Sequence, residues 1–397
     1  MSLVAKYIGP DNFGKLSFVS SIFFVVQTVA MLGLNGFLFQ KTSKNKLQGE
    51  KIIHVTNLIR NVIYIPLSVL FLIYIYIYMD DLTFIYALAT SIGTYFLLHD
   101  VYSIYFNALL ISYINVICNS LGLIVALVIR YLIVKLNIDI EWLGLPIIFV
   151  SLIPYLLKKL IYNKNSEMVE IYGINKQKYR KIIIGIGGKL VLYSLSVAIF
   201  IKTSQILLGY YSQYDLGIYT VASTLGTSYY FVLIAMITSF MPEIYQEKDK
   251  ERSNFLVCKL NLIIIIISLC VLLFVVIFGE WIVITLYGES YMSVINILSY
   301  MVLVCMFSGI STVSDKYLLK YNAYDFLKKK TNILLVINIL ISVLLVHFWR
   351  IYGAVFSILI TEFLSATLLN YFYRKAGLFS IHRQLFSKSF YKKLVDI

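Results

Sequence analysis

Apolar and polar positions alternate along this chain in long blocks rather than in the short periods of a soluble fold. Eleven apolar stretches cover residues 16–39, 52–79, 82–98, 108–134, 142–162, 182–208, 216–240, 255–278, 292–318, 331–348 and 352–373. Short polar connections separate them. An apolar run of roughly 18 residues is long enough to cross a bilayer as a helix, so each predicts a membrane span. The stretch 82–98 is short, and His99 and Asp100 bring it to a polar end. The pattern predicts an all-α integral membrane protein.

Two polar stretches share one grammar. YIGPDNFGKLSF (Tyr7 to Phe18) reads as a turn between apolar spans, and YYSQYDLGIYTV (Tyr210 to Val221) matches it at an offset of 203 residues. Tyr7 then meets Tyr210, Gly14 meets Gly217 and Ser17 meets Thr220, and the helices after these turns end in register at Gln40 and Glu243. Glu141-Trp-Leu-Gly144 and Arg350-Ile-Tyr-Gly353 open later spans at an offset of 209. These matches imply a duplicated architecture. In that register Met1 aligns with Ser204, so the counterpart of span 182–208 falls before Met1 and the first half is expected to lack its first helix. The expected organisation is an N-terminal bundle over 1–162, a cytoplasmic linker over 163–181, a C-terminal six-helix bundle over 182–373 and a basic cytoplasmic tail over 374–397. Two halves entering the membrane in the same sense are related by an axis along its normal, and such a pair encloses a central cavity.

Composition agrees with the pattern: 60% of the 397 residues are hydrophobic, 14% are charged, and mean hydropathy is +0.84. So few charges cannot cover a soluble surface. The net charge of +14 raises nucleic acid as a partner, but its distribution argues against one. Of 34 Lys and Arg residues, 25 fall in alternate connections and the C-terminal tail. The positive-inside rule places those segments, and the C-terminus, in the cytoplasm. The four cysteines (Cys118, Cys258, Cys270, Cys305) match no zinc or redox spacing and read as packing residues. The histidines (His54, His99, His347, His382) form no metal spacing, and no nucleophile–base cluster appears, so no catalytic, metal or cofactor site is expected.

Several pieces together carry a family resemblance: KYIGPDNFGKLSF, YFNAL (Tyr105 to Leu109), LLGYYSQYDLGIYTVAS, LYGESYMSVINILSY (Leu286 to Tyr300), and the paired last helices from Asn332 to Phe363. In order and spacing the chain resembles the bacterial polysaccharide-biosynthesis membrane proteins, the O-antigen or capsule repeat-unit flippases of the multidrug/oligosaccharidyl-lipid/polysaccharide exporter superfamily. The resemblance implies two pseudo-symmetric bundles of a 12-helix transporter fold, here with about eleven spans. It also implies transfer of undecaprenyl-diphosphate-linked repeat units from the inner to the outer leaflet of the bacterial plasma membrane. That lipid-linked oligosaccharide and membrane lipids are the expected partners, with a polysaccharide polymerase and glycosyltransferases as further candidates. A cation-coupled multidrug exporter of the same superfamily is the nearest alternative; a polytopic polymerase or acyltransferase is a second.

Charges inside spans are expensive and point to function. Lys189 heads a polar stripe with Tyr193, Ser196 and Thr203 at +4, +7 and +14, and reads as a cavity cation, with an interfacial anchor as the alternative. The preceding Gly185-Ile-Gly-Gly188 lacks phosphate-loop spacing and suits close helix packing. Arg60 shares a face with Asn57, Asn61 and Tyr64, with Pro66 beyond them, and is expected either near the cytoplasmic mouth of the cavity or in a structural position. Glu362, Asp100 and Asp315 are candidates for binding a coupling proton or sodium, or for pairing with Lys or Arg.

Overall fold

The computed structural model describes residues 2–165, 173–388, 390 and 391; in the helix that opens at Gly173 it describes side chains from Ser194 on, and that of Ile183. Among the described residues every regular element is helical. Among the described residues nine stretches are long and apolar enough to cross a membrane. One of these, Tyr324–Tyr371, is broken at Arg350, and the helix Gly173–Tyr211 adds another, so each of the eleven predicted spans coincides with helix. Long runs of large apolar side chains stay exposed, among them Leu70 (60%), Ile77 (62%), Leu273 (63%) and Val276 (67%). Water would penalise such faces, and lipid does not.

The chain divides into two compact units, Met1–Ile8 with Lys15–Lys202 and Gly9–Gly14 with Thr203–Ile397. Unit 1 contains most of α1 (Ser2–Met31), then α2 (Asn35–Lys44), α3 (Lys46–Tyr78), α4 (Asp81–His99), α5 (Tyr102–Ala108), α6 (Tyr113–Lys135), a 3₁₀ turn (Ile140–Leu143) and α7 (Gly144–Asn165). The division falls inside α8 (Gly173–Tyr211), between Lys202 and Thr203; residues 166–172 of the expected linker 163–181 lie outside the described residues. Ile183 belongs to the apolar cluster of unit 1 with Leu38, Ile52, Tyr105 and Phe106, whereas Ser204 bonds to Ser342 and Ser357 of unit 2.

Unit 2 continues through α9 (Gln213–Gly226), α10 (Tyr230–Gln246), α11 (Lys250–Tyr287), α12 (Ile295–Lys320), α13 (Tyr324–Ala366), α14 (Leu368–Tyr371) and α15 (Leu378–Gln384). Its core gathers Leu233, Ile237, Ile264, Val302, Val313 and Tyr317, all buried. Arg350 (φ 48°, ψ −120°) folds α13 back on itself. A non-glycine residue at that φ is strained. The guanidinium lies 4.4 Å from the centroid of the Tyr211 ring, an attraction that offsets part of the cost. Gly353 makes the reversal possible, because a Cβ there would strike the Leu345 carbonyl. Asn338 Nδ2 then donates to Thr361 Oγ1 across the hairpin at 3.3 Å.

Some predicted spans are discontinuous. Span 16–39 breaks at Leu32 and Gly33, both at positive φ; 216–240 breaks between Gly226 and Tyr230; and 108–134 starts only after a break at Leu110 (φ 61°). Non-helical backbone is tolerated at such depth where protein or water satisfies it.

The matched polar stretches are tighter than expected. In the first, Gly9 alone leaves the helix (φ 74°), and Pro10 opens the next segment, where a missing N–H costs nothing. In the second the break falls at Ser212, which is Gly9 plus 203, and the Ser212 hydroxyl caps α9 by accepting from the Asp215 N–H. Residues 9–14 of the first stretch pack on the second within unit 2, and the contacts are reciprocal. A Cβ on Gly14 would collide with the Gln213 carbonyl, and one on Gly217 with the Pro10 carbonyl. Gln213 is Pro10 plus 203, so the duplicated segments meet about a local two-fold.

Backbone cannot yield as a flexible side chain would. Gly217→Ala is therefore expected to destabilise the protein by about 1–3 kcal/mol, read as a lower midpoint of thermal unfolding. Gly36→Ala, where a Cβ meets nothing within 4 Å, is the control expected to show no loss. A second expectation concerns pH. Burial beside Tyr371, whose hydroxyl pairs with Nδ1 at 3.0 Å, pushes His382 down to about 4. Its folded value lies below the ordinary 6.5, so its contribution is complete above pH 6.5 and is lost as pH falls from there towards 4. Hydrogen exchange over α15 is expected to accelerate in that window, and His382→Gln is expected to flatten the response.

Candidate functional site

Each unit holds an ion pair built on a buried lysine. In unit 1, α4 ends at His99, and Asp100 stands next as its C-cap. Lys158, projecting from α7 and fully buried, donates to Asp100 Oδ2 at 2.6 Å, Ser103 Oγ at 2.7 Å and Asn119 Oδ1 at 2.7 Å. Asn115 Nδ2 ties the same group together, donating to the Ser103 carbonyl and to Asn107 Oδ1, each at 2.8 Å. One ammonium thus connects α5, α6, α7 and the end of α4. Away from water a lone ammonium or carboxylate costs several kcal/mol, and pairing with complete hydrogen bonding recovers that.

Unit 2 repeats the device with different residues. Lys330, at the start of α13 and 2% exposed, donates to Asp315 Oδ1 of α12 at 2.5 Å, while the Asp315 side chain stays 42% exposed. Glu362 lies on the return half of α13, half-buried and within electrostatic reach of both. Ser311 and Ser365 bond to each other at 2.6 Å beside it, and the Tyr230 hydroxyl meets Thr312 at 2.9 Å. Unit 1 pairs one acid with one lysine; unit 2 groups two acids around one lysine and so keeps a carboxylate in excess.

The predicted residues divide accordingly. Asp100 and Asp315 are paired with lysines, one of the two roles expected of them, and Glu362 sits beside the second pair. Arg60 was expected at the mouth of a cavity or in a structural position. The structure places it inside unit 1, 1% exposed, where Nη1 donates to the Leu98 carbonyl at 2.7 Å. Carbonyls at the end of α4 lack helical partners, and a cation there satisfies one and opposes the helix dipole. Tyr64, one turn on, likewise bonds to the Ser91 carbonyl at 2.7 Å and to Thr94, so this face of α3 packs on α4. Asn57 is half-buried, with its Oδ1 enclosed near Arg60 on α3. Ser196 is half-buried on α8. The side chains of Lys189 and Tyr193 lie outside the described residues.

Sequence reasoning missed Lys158 and Lys330, because both stand in basic runs at span ends, where a lysine is ordinary. A signal existed. Lys158 falls midway between buried Pro154 and Tyr162 at a spacing of four, and Lys330, Leu334, Asn338 and Ser342 continue one buried stripe. Among the described residues no group of His, Cys, Asp and Glu is placed to hold a metal ion.

Two units of membrane-length helices, each holding a lysine–aspartate pair, define a multi-pass membrane protein. Solved structures of transporters share its fold. A lipid II flippase, MurJ, in an inward closed conformation superposes with a TM-score of 0.74 at 16% identity, over 94% of this chain and 83% of that one. An inward-facing multidrug resistance MATE transporter of the MOP superfamily gives 0.67 at 14% identity, over 96% and 94%. A MOP superfamily transporter from Pyrococcus furiosus gives 0.51 at 14%, over 98% and 89%. No curated protein sequence matches. The family described as polysaccharide biosynthesis protein matches residues 3–296, and the chain belongs to that family.

Removing Asp315 leaves the buried Lys330 short of a counter-charge. Asp315→Asn is expected to cost about 3 kcal/mol in chemical unfolding of the purified protein. Adding Lys330→Met is expected to recover most of that loss; strictly additive losses in the double-mutant cycle would show that the two do not act as a pair.

Proposed function

We propose that this protein is a flippase for lipid-linked oligosaccharide, moving undecaprenyl-diphosphate-linked O-antigen or capsule repeat units to the outer leaflet of the bacterial plasma membrane by alternating access. The observation that carries this reading is the family match over residues 3–296, which associates the chain with polysaccharide synthesis. The shared fold is compatible with it but serves flippases and drug exporters alike. The cargo is anionic, and an inside-negative potential pushes it outward by about 2.3 kcal/mol per charge per 100 mV. Its diphosphate needs a cation. The sequence pattern puts forward Lys189, heading the Tyr193 and Ser196 stripe, as the diphosphate ligand. Glu362, the carboxylate in excess, is the position for a coupling proton or sodium ion. On this reading the protein binds and moves its cargo without chemical change.

Expression in a strain lacking its own repeat-unit exporter tests the reading. Surface polysaccharide is expected to return without any gain in drug resistance; drug resistance without polysaccharide would select the exporter alternative. In the same strain Lys189→Ala is expected to reduce export by at least roughly tenfold, a loss of about 1.4 kcal/mol, while Lys189→Arg retains most of it. Full export by the alanine variant would remove Lys189 from the mechanism.

A further inference from the structure

The Lys158 centre has more oxygen than a salt bridge needs. Its ammonium uses all three N–H groups, on a carboxylate, a hydroxyl and a carboxamide oxygen supplied from different helices. Two further oxygens of the same cluster, Asp100 Oδ1 and Asn115 Oδ1, are buried and have no hydrogen-bond partner among the described residues. Carboxylate, carboxamide and hydroxyl oxygens form the donor set of a hard cation. Asn107 of α5 and Asn119 of α6 are exposed, so the cluster has an open edge where these two helices meet it. Among the described residues, the cation that fills it is covalently attached and arrives on the side chain of α7.

We propose that Asp100, Ser103, Asn115 and Asn119 form a monovalent-cation site whose resident cation is the Lys158 ammonium. The tether keeps the site filled at any external sodium concentration, so unit 1 folds without a bound ion. Unit 2 differs, because Glu362 leaves its lysine outnumbered by carboxylates. The inference concerns the ion requirement of unit 1 and does not rest on the identity of the cargo.

Deleting the tethered cation tests this. The full-length protein is purified in detergent, and thermal unfolding is followed in increasing sodium chloride against choline chloride at equal ionic strength. A ligand that binds only the folded state raises the unfolding midpoint in a saturable way. Lys158→Ala is expected to unfold earlier than wild type in choline and to regain several degrees in sodium. Wild type is expected to respond less, and Lys158→Ala with Asp100→Asn to lose the extra response, since the carboxylate that would hold the ion is gone. Lys158→Gln, which keeps more of the side-chain volume, is measured in parallel in case the alanine variant is not recovered. An identical sodium response in wild type and both single variants would overturn the proposal. So would an extra response that persists after Asp100→Asn, or failure to recover either variant at any sodium concentration.

Discussion

The constraint on which this protein depends is the cost of charge in a medium that cannot solvate it. Lys158 and Lys330 are almost completely enclosed, and each is tolerable only because a carboxylate lies within 2.6 Å or less. That requirement fixes geometry. Asp100 must come directly after α4, α7 must run close enough to present Lys158, and α13 must begin beside the end of α12. Arg60 obeys the same constraint differently, using a helix carbonyl in place of a carboxylate. Apolar packing supplies the bulk of each unit, but lipid competes with it on equal terms. The polar contacts are therefore what distinguishes one helix arrangement from another.

Duplication is visible along the chain as polar breaks separated by 203 residues, at Gly9 and Ser212, whose flanking segments pack reciprocally through Gly14 and Gly217. The lysine–aspartate pairs do not follow it: at that offset Asp100 meets Leu303 and Lys158 meets Thr361. The unit 1 pair is set among amide oxygens, and the unit 2 pair has Glu362 near it.

Much of this was legible in the sequence, and what was not has physical reasons. Hydropathy placed each predicted span on helix because membrane helices must be both long and apolar, although several bounds differ. It could not place the breaks at Leu32, Gly226 or Leu110, because a change of backbone angle at one residue leaves the mean hydropathy of the surrounding run unchanged. Asp100 and Asp315 were recognisable as costly intramembrane acids. Their partners were not, since Lys158 and Lys330 sit at span ends, where the positive-inside rule accounts for any lysine. Arg60 left two readings open, the mouth of a cavity or a structural position, and its bond to the Leu98 carbonyl at the end of α4 answers to the second.

With Lys158 and Lys330 already paired and Arg60 capping a helix, the account makes transport of an anionic headgroup its central claim. Reconstituting the purified protein into vesicles carrying a fluorescent polyprenyl-diphosphate oligosaccharide, and tracking its appearance in the opposite leaflet, tests that claim most directly. The account predicts protein-dependent transfer that accelerates when the leaflet of origin faces the negative side of an imposed potential. Folded protein that leaves the labelled lipid where it started, at every potential, would contradict it.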